Sequence, residues 1–192
     1  EDASWINSNA PLVGDEVTIN NDINQDVDYV TGTIVVTGAN TLTVNSGNTL
    51  ALTGGITGTG NLSINGQITL TEGGFTDIIP TYGVGSTLEY RNITATYNRF
   101  NEWREGATVG AGVPDNVIIE NVSLDLTDIL NDLSDQEFNI GTDLTILSNG
   151  NLNVDATKSL TLGSDLSNTG GSVNLNSTSQ DYSSLIVGGS SS

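Results

Sequence analysis

Cysteine, methionine and histidine are all absent from this chain. Without cysteine there is no disulfide framework and no thiolate metal site. Without histidine the Ser-His-Asp triad, imidazole zinc sites and histidine acid–base catalysis are excluded. Cations are almost as scarce: four Lys and Arg stand against 23 Asp and Glu, a formal net charge of −19. A chain so poor in cations cannot grip nucleic acid through its phosphates, and the same charge disfavours an anionic membrane surface. No run approaches the roughly 20 apolar residues of a membrane helix, so no membrane insertion is expected. Aromatic residues make up only 5% of the 192 residues.

What the chain does have is regular alternation on a Gly, Ser, Thr and Asn background. The stretch from Thr41 to Gly54 is TLTVNSGNTLALTG. Leu42-Thr43-Val44 and Leu50-Ala51-Leu52 each place apolar residues two apart, the mark of a half-buried strand. Asn45-Ser46-Gly47-Asn48 supplies the corner between them, because these residues tolerate turn geometry. The pattern returns as NLNVDATKSLTLGS from Asn151 to Ser164. Val17 matches Val117 at an offset of 100, while Ile34, Leu42, Leu50 and Ile56 match Leu144, Leu152, Leu160 and Leu166 at 110. Leu62 and Ile64 match Val173 and Leu175 at 111. The chain therefore holds two collinear copies, each opened by a tryptophan, Trp5 and Trp103. The extra residues of the second copy fall between Val117 and Leu144, where a solenoid corner accommodates an insertion. That insertion carries the one helix-like pattern, Asp125 to Asp135.

Inward positions Leu42, Leu50 and Leu62 give a circuit of about 20 residues, as expected for one coil of a β-solenoid. The expected fold class is all-β, a right-handed parallel β-helix, with about nine coils stacked over about 40 Å. An antiparallel sandwich competes, but its tight Asn-Gly hairpin turns are found only at Asn65-Gly66 and Asn149-Gly150. The expected organisation is a first repeat over 1–74, connecting strands and loop over 75–102, and a second repeat over 103–192, all in one continuous solenoid. The start at Glu1-Asp2 and the end at Gly188-Gly189-Ser190-Ser191-Ser192 are expected to be interior points of a longer chain.

Paired carboxylates are the remaining route to catalysis, since a glycosidase needs two at a defined separation. Asp26 and Asp28 alternate, and Asp125, Asp128, Asp132 and Asp135 are spaced to share a helix face, but no Lys or Arg flanks either set. Both sets read as solvated corners. Calcium takes carboxylate and carbonyl oxygens, so Asp125, Asp128, Asp132 and Asp135 are the candidate metal ligands and calcium the candidate cofactor. No EF-hand loop or Gly-Gly-x-Gly-x-Asp array accompanies them. Thr41-x-Thr43 and Thr94-x-Thr96 are not ranked at coil spacing, as an ice-binding face would require. Arg91, Arg99 and Arg104 lie near Glu89, Glu102 and Glu105 and are expected to form weak surface salt bridges. Trp5 and Trp103 could stack on sugars, but burial over an end of each repeat is the expected role.

The run YGVGSTLEYRNITATYNRFNEWREGATVGAGVPDNVIIENVSLDL, from Tyr82 to Leu126, resembles a repeat of large secreted surface proteins of Bacteroidota, especially flavobacteria. The shared features are Tyr-Gly-x-Gly-Ser-Thr-Leu-x-Tyr, the Glu102-Trp103 pair, Gly-Ala-Gly-x-Pro-x-Asn-Val and the closing Leu124-Asp125-Leu126. Tyr182-Ser183-Ser184-Leu185-Ile186-Val187 is similar to the last strand before that family's C-terminal sorting region, which is not present in this sequence. The resemblance implies export by the type IX secretion system, an extracellular or cell-surface location, and a β-helical adhesin-like stalk. It brings no catalytic residues. The expected function is a non-enzymatic structural or adhesive segment forming a stiff stalk or filament. Its expected partners are further repeats or other copies joined end to end, surface glycans, and the secretion machinery during export. The competing function is a carbohydrate-binding or carbohydrate-active β-helix.

Overall fold

The computed structural model describes residues 16–25, 29–126, 137–176 and 183–189. Every strand pairing among them is parallel, which excludes the sandwich. The chain is a parallel β-helix with three strands to a full rung. Rung one holds β1 (Val17–Ile19), β2 (Ile23–Gln25) and β3 (Tyr29–Thr31). Rung two holds β4 (Ile34–Val36), β5 (Thr41–Val44) and β6 (Thr49–Leu52), and rung three β7 (Gly55–Gly58), β8 (Asn61–Ile64) and β9 (Gln67–Leu70). Rung four holds β10 (Phe75–Thr76), β11 (Thr81–Tyr82) and β12 (Thr87–Arg91). Rung five has only β13 (Tyr97–Asn98) and β14 (Asn116–Glu120). Rung six holds β15 (Ser123–Leu126), β16 (Glu137–Ile140) and β17 (Leu144–Ile146), and rung seven β18 (Asn151–Val154), β19 (Ser159–Leu162) and β20 (Leu166–Asn168). The last described strands are β21 (Ser172–Leu175) and β22 (Ser184–Val187).

Three faces result. Face three is one unbroken sheet of seven strands, from β3 through β6, β9, β12, β14 and β17 to β20. Face one starts as β1-β4-β7-β10 and resumes as β13-β15-β18-β21, while face two starts as β2-β5-β8-β11 and resumes as β16-β19-β22. Alternation puts every second side chain inside. On face three Leu50, Ile68, Leu88, Val117 and Leu144 stand one above the next in register, and all are essentially inaccessible. Leu42 faces Leu62, which gives the expected twenty-residue circuit. Among the described residues the stack makes seven rungs and part of an eighth. Its middle turns are long, since Leu88 pairs with Val117 and Val117 with Leu144.

The outer faces are tied by polar ladders. On face one Asn174 Nδ2 donates to Asn153 Oδ1 at 2.7 Å, and Asn153 Nδ2 donates to Asp125 Oδ1 and to Ser123 Oγ. Asp125 and Leu126 thus belong to a strand, not to the helix-like segment expected from their spacing. Val30 points outward at the edge of face three and is exposed, while Thr31 is buried.

The two copies share their local shape but not their face. Ile34, Leu42 and Leu50 lie on faces one, two and three, whereas their counterparts Leu144, Leu152 and Leu160 lie on faces three, one and two. The cause is rung five. Between β13 and β14 the chain crosses face two as a loop, so the second copy begins one face out of step.

Candidate functional site

Three places concentrate polar chemistry. The first is the gap on face two in rung five. Here the chain runs from Tyr97 to Gly112 without strand structure on this face. Trp103 is fully buried. Its Nε1 donates to Asn139 O at 3.0 Å, and its ring meets Phe138 edge-on at 5.8 Å. Asn139 Nδ2 returns a bond to Ala107 O at 3.0 Å, so the loop lies against β16 where a strand would pair. Trp103 is therefore a packing residue, and its ring is closed to a sugar. Trp5 lies outside the described residues.

Charged groups line the same gap. Arg99, Glu105 and Lys158, the chain's single lysine, are all nearly inaccessible. Arg99 Nη2 meets Glu105 Oε2 at 2.7 Å, and Lys158 Nζ pairs with Glu105 Oε1. The guanidinium also sits over the Phe138 ring, 4.5 Å from its centre. The surface salt bridge expected for Arg99 is thus a buried triad, because the loop folds inward to fill the missing strand. Arg104 is exposed and makes none of the described ion pairs.

Glu102, in the same loop between Arg99 and Glu105, is fully buried. Its Oε1 accepts from Phe100 N at 2.9 Å and from Tyr90 Oη at 3.3 Å. Its Oε2 makes no close hydrogen bond among the described residues, and the Tyr97 hydroxyl also acts on this carboxyl. Tyr82 Oη donates to the Glu102 backbone carbonyl at 2.7 Å, and Tyr97 Oη to Gly74 O at 3.0 Å. Burial raises the Glu102 carboxyl above its ordinary range, partly opposed by hydrogen bonds from backbone N–H groups, that of Phe100 first, and from the Tyr97 and Tyr90 hydroxyls, and burial also raises the three tyrosines. A carboxyl with a raised folded-state pKa contributes stability that is present in full below its unfolded value and is lost as pH rises through the folded value. Glu102→Gln removes that loss. Melting temperatures of variant and parent, taken as a difference across pH, should rise in the variant's favour above the ordinary glutamate range. Parallel curves would count against a proton held at Glu102.

The second place is the outer surface of face three. Glu89 points outward yet is almost wholly covered. Gln67 Nε2 and Thr69 Oγ1 donate to its Oε2 at 2.8 and 2.7 Å. Arg91 Nη2 lies 2.5 Å from its Oε1, and Arg91 Nε lies 2.7 Å from Glu120 Oε2. Two carboxylates bridged by a guanidinium resemble the raw material of glycoside chemistry, but both Glu89 oxygens are engaged and covered. The cluster latches β9, β12 and β14 together.

The third place is a corner. Between faces two and three, four residues (45–48) join β5 to β6, two (65–66) join β8 to β9, and four (83–86) join β11 to β12. The short middle corner is recessed between its longer neighbours and leaves a notch of about 210 Å³. Its walls include Ser46, Asn48, Thr49, Asn65, Gln67 and Thr87. The two-residue corner is so tight that a Cβ on Gly66 would strike the carbonyl oxygens of Asn45 and Asn48.

Of the candidate calcium ligands, Asp125 is engaged by Asn153 on face one, and Asp128, Asp132 and Asp135 lie outside the described residues, as do Asp26 and Asp28. Among the described residues no three acidic groups converge as a metal cage would require. No helix there is long and apolar enough to cross a membrane. The described residues define a parallel β-helix with an ionic junction buried at rung five. Comparison with family models, curated proteins and solved structures returned no match.

Proposed function

We propose that this chain is a non-enzymatic structural and adhesive segment of a secreted cell-surface protein, a stiff β-solenoid stalk or filament. The observation that carries the reading is the exposure of inward positions in the last described strands. In β21, Leu175 occupies the inward position that Val154 holds one rung earlier, yet it is 47% exposed while Val154 is inaccessible. Leu166, Val173 and Leu185 are likewise only partly covered. Strands β20, β21 and β22 contain no charged residue and no proline, the devices that usually protect a sheet edge. An apolar column that meets solvent beside unguarded strand edges suits a further rung, from the same polypeptide or from another copy. A stack of rungs is stiff because each is hydrogen-bonded and packed to the next. Export by the type IX system and a place on the cell surface follow from the resemblance of Tyr82–Leu126.

Small-angle scattering and electron microscopy of the purified chain test this. The expected result is a rod, with end-to-end strings at high concentration that disappear in Leu175→Lys. A compact particle with no tendency to associate and no effect of Leu175→Lys would overturn it.

A further inference from the structure

We propose that the notch between the stacked corners of β5–β6, β8–β9 and β11–β12 binds a neutral saccharide ring. The inference goes beyond the stalk reading and does not depend on it. The notch is built, because one corner is two residues shorter than those above and below it. Its chemistry narrows the ligand. None of its lining residues ionises, so neither anion nor cation is held by charge. A net charge of −19 further repels phosphates and uronates. No apolar side chain lines it, which removes the usual drive for an apolar ligand. What remains is a ligand that is uncharged and rich in hydroxyl groups.

The walls also hold polar capacity the fold does not spend. Gln67 uses both N–H bonds on Thr69 and Glu89, which fixes its carboxamide and leaves Oε1 as an acceptor. The side chains of Ser46, Asn65 and Thr87 make no hydrogen bond to other described residues. A wall held by a second set of hydrogen bonds is pre-organised, and that lowers the cost of binding. The volume is smaller than the roughly 300 Å³ at which drug-sized pockets begin, so one sugar ring is the unit admitted. With no aromatic platform, the dissociation constant should be of order 1 mM. Repetition along a stalk would convert such a contact into useful avidity.

Saturation-transfer NMR on the full chain tests the site with glucose, galactose, mannose and N-acetylglucosamine, against glucuronate and inorganic phosphate. At least one neutral sugar should give signal, and glucuronate and phosphate none. Inserting Ser-Gly between Asn65 and Gly66 levels the three corners. The circular dichroism should be unchanged and the signal abolished. Gln67→Ala and Thr87→Ala leave the corner untouched and should each weaken binding about five-fold, so the test holds even where the longer corner does not fold. Silence from every neutral sugar, equal signal from glucuronate, or binding that survives Gln67→Ala and Thr87→Ala unchanged would overturn the site. None of these outcomes alters the particle shape on which the stalk reading rests.

Discussion

Glu105→Gln should cost about 3–5 kcal/mol of stability, the penalty for removing one partner of a buried ion pair. The size follows from where the charges sit. Arg99 and Lys158 are 3% exposed each, and each pairs with one oxygen of the Glu105 carboxylate. An amide in its place removes the negative charge that both buried cations face. For a chain of this length the melting temperature should fall by on the order of 10 °C. The loss should be felt across the stack, because Glu105 lies in the loop of rung five and Lys158 in the corner leading to β19, two rungs on. A triple replacement, Arg99→Leu with Glu105→Leu and Lys158→Met, should recover much of the loss, since apolar groups of similar volume can replace a buried ionic cluster. If Glu105→Gln melts with the parent, the triad is not buried as described.

Trp103→Ala should be comparably damaging, at about 3–5 kcal/mol. It empties the largest fully buried side chain among the described residues, removes the edge-on contact with Phe138 and leaves Asn139 O without its indole donor. Trp103→Phe should recover most of the packing but not the hydrogen bond, for a loss nearer about 1–2 kcal/mol. Thermal melts followed by near-ultraviolet circular dichroism measure both. Because a solenoid behaves as a chain of neighbouring units, the first transition should report rungs five to seven. An alanine variant as stable as the parent would mean that the ring lies outside the core.

The regular rungs were legible in the sequence because their signal is local. Leu42-x-Val44, Leu50-x-Leu52 and Leu62-x-Ile64 state strand and buried face together, and the twenty-residue return to Leu62 states the coil. The face each copy occupies was not legible. It depends on whether residues between Asn98 and Asn116 count as a side of the coil, and that loop carries no alternation. The ionic junction was half legible. Arg99 and Glu105 belong to a set of nearby Arg and Glu residues that reads as local surface pairs, whereas Lys158 joins them only through the stacking of distant rungs. Burial of Glu102 followed from the same loop, and nothing in Asn101-Glu102-Trp103 announces it. The notch was half open to counting: Asn65-Gly66 is shorter than the corner Asn45 to Asn48, but the corner at 83–86 lies in a stretch that reads as connecting strands and loop.

The one-face offset between copies has a geometric consequence for any longer array. A third copy added with the same slip would place the counterpart of Leu42 on face three, and a fourth would bring it back to face two. Whatever a repeat displays on its exterior would climb the shaft like treads of a spiral stair, not in a single line. Such a shaft presents the same tread to its surroundings in three directions, whichever way it happens to be turned.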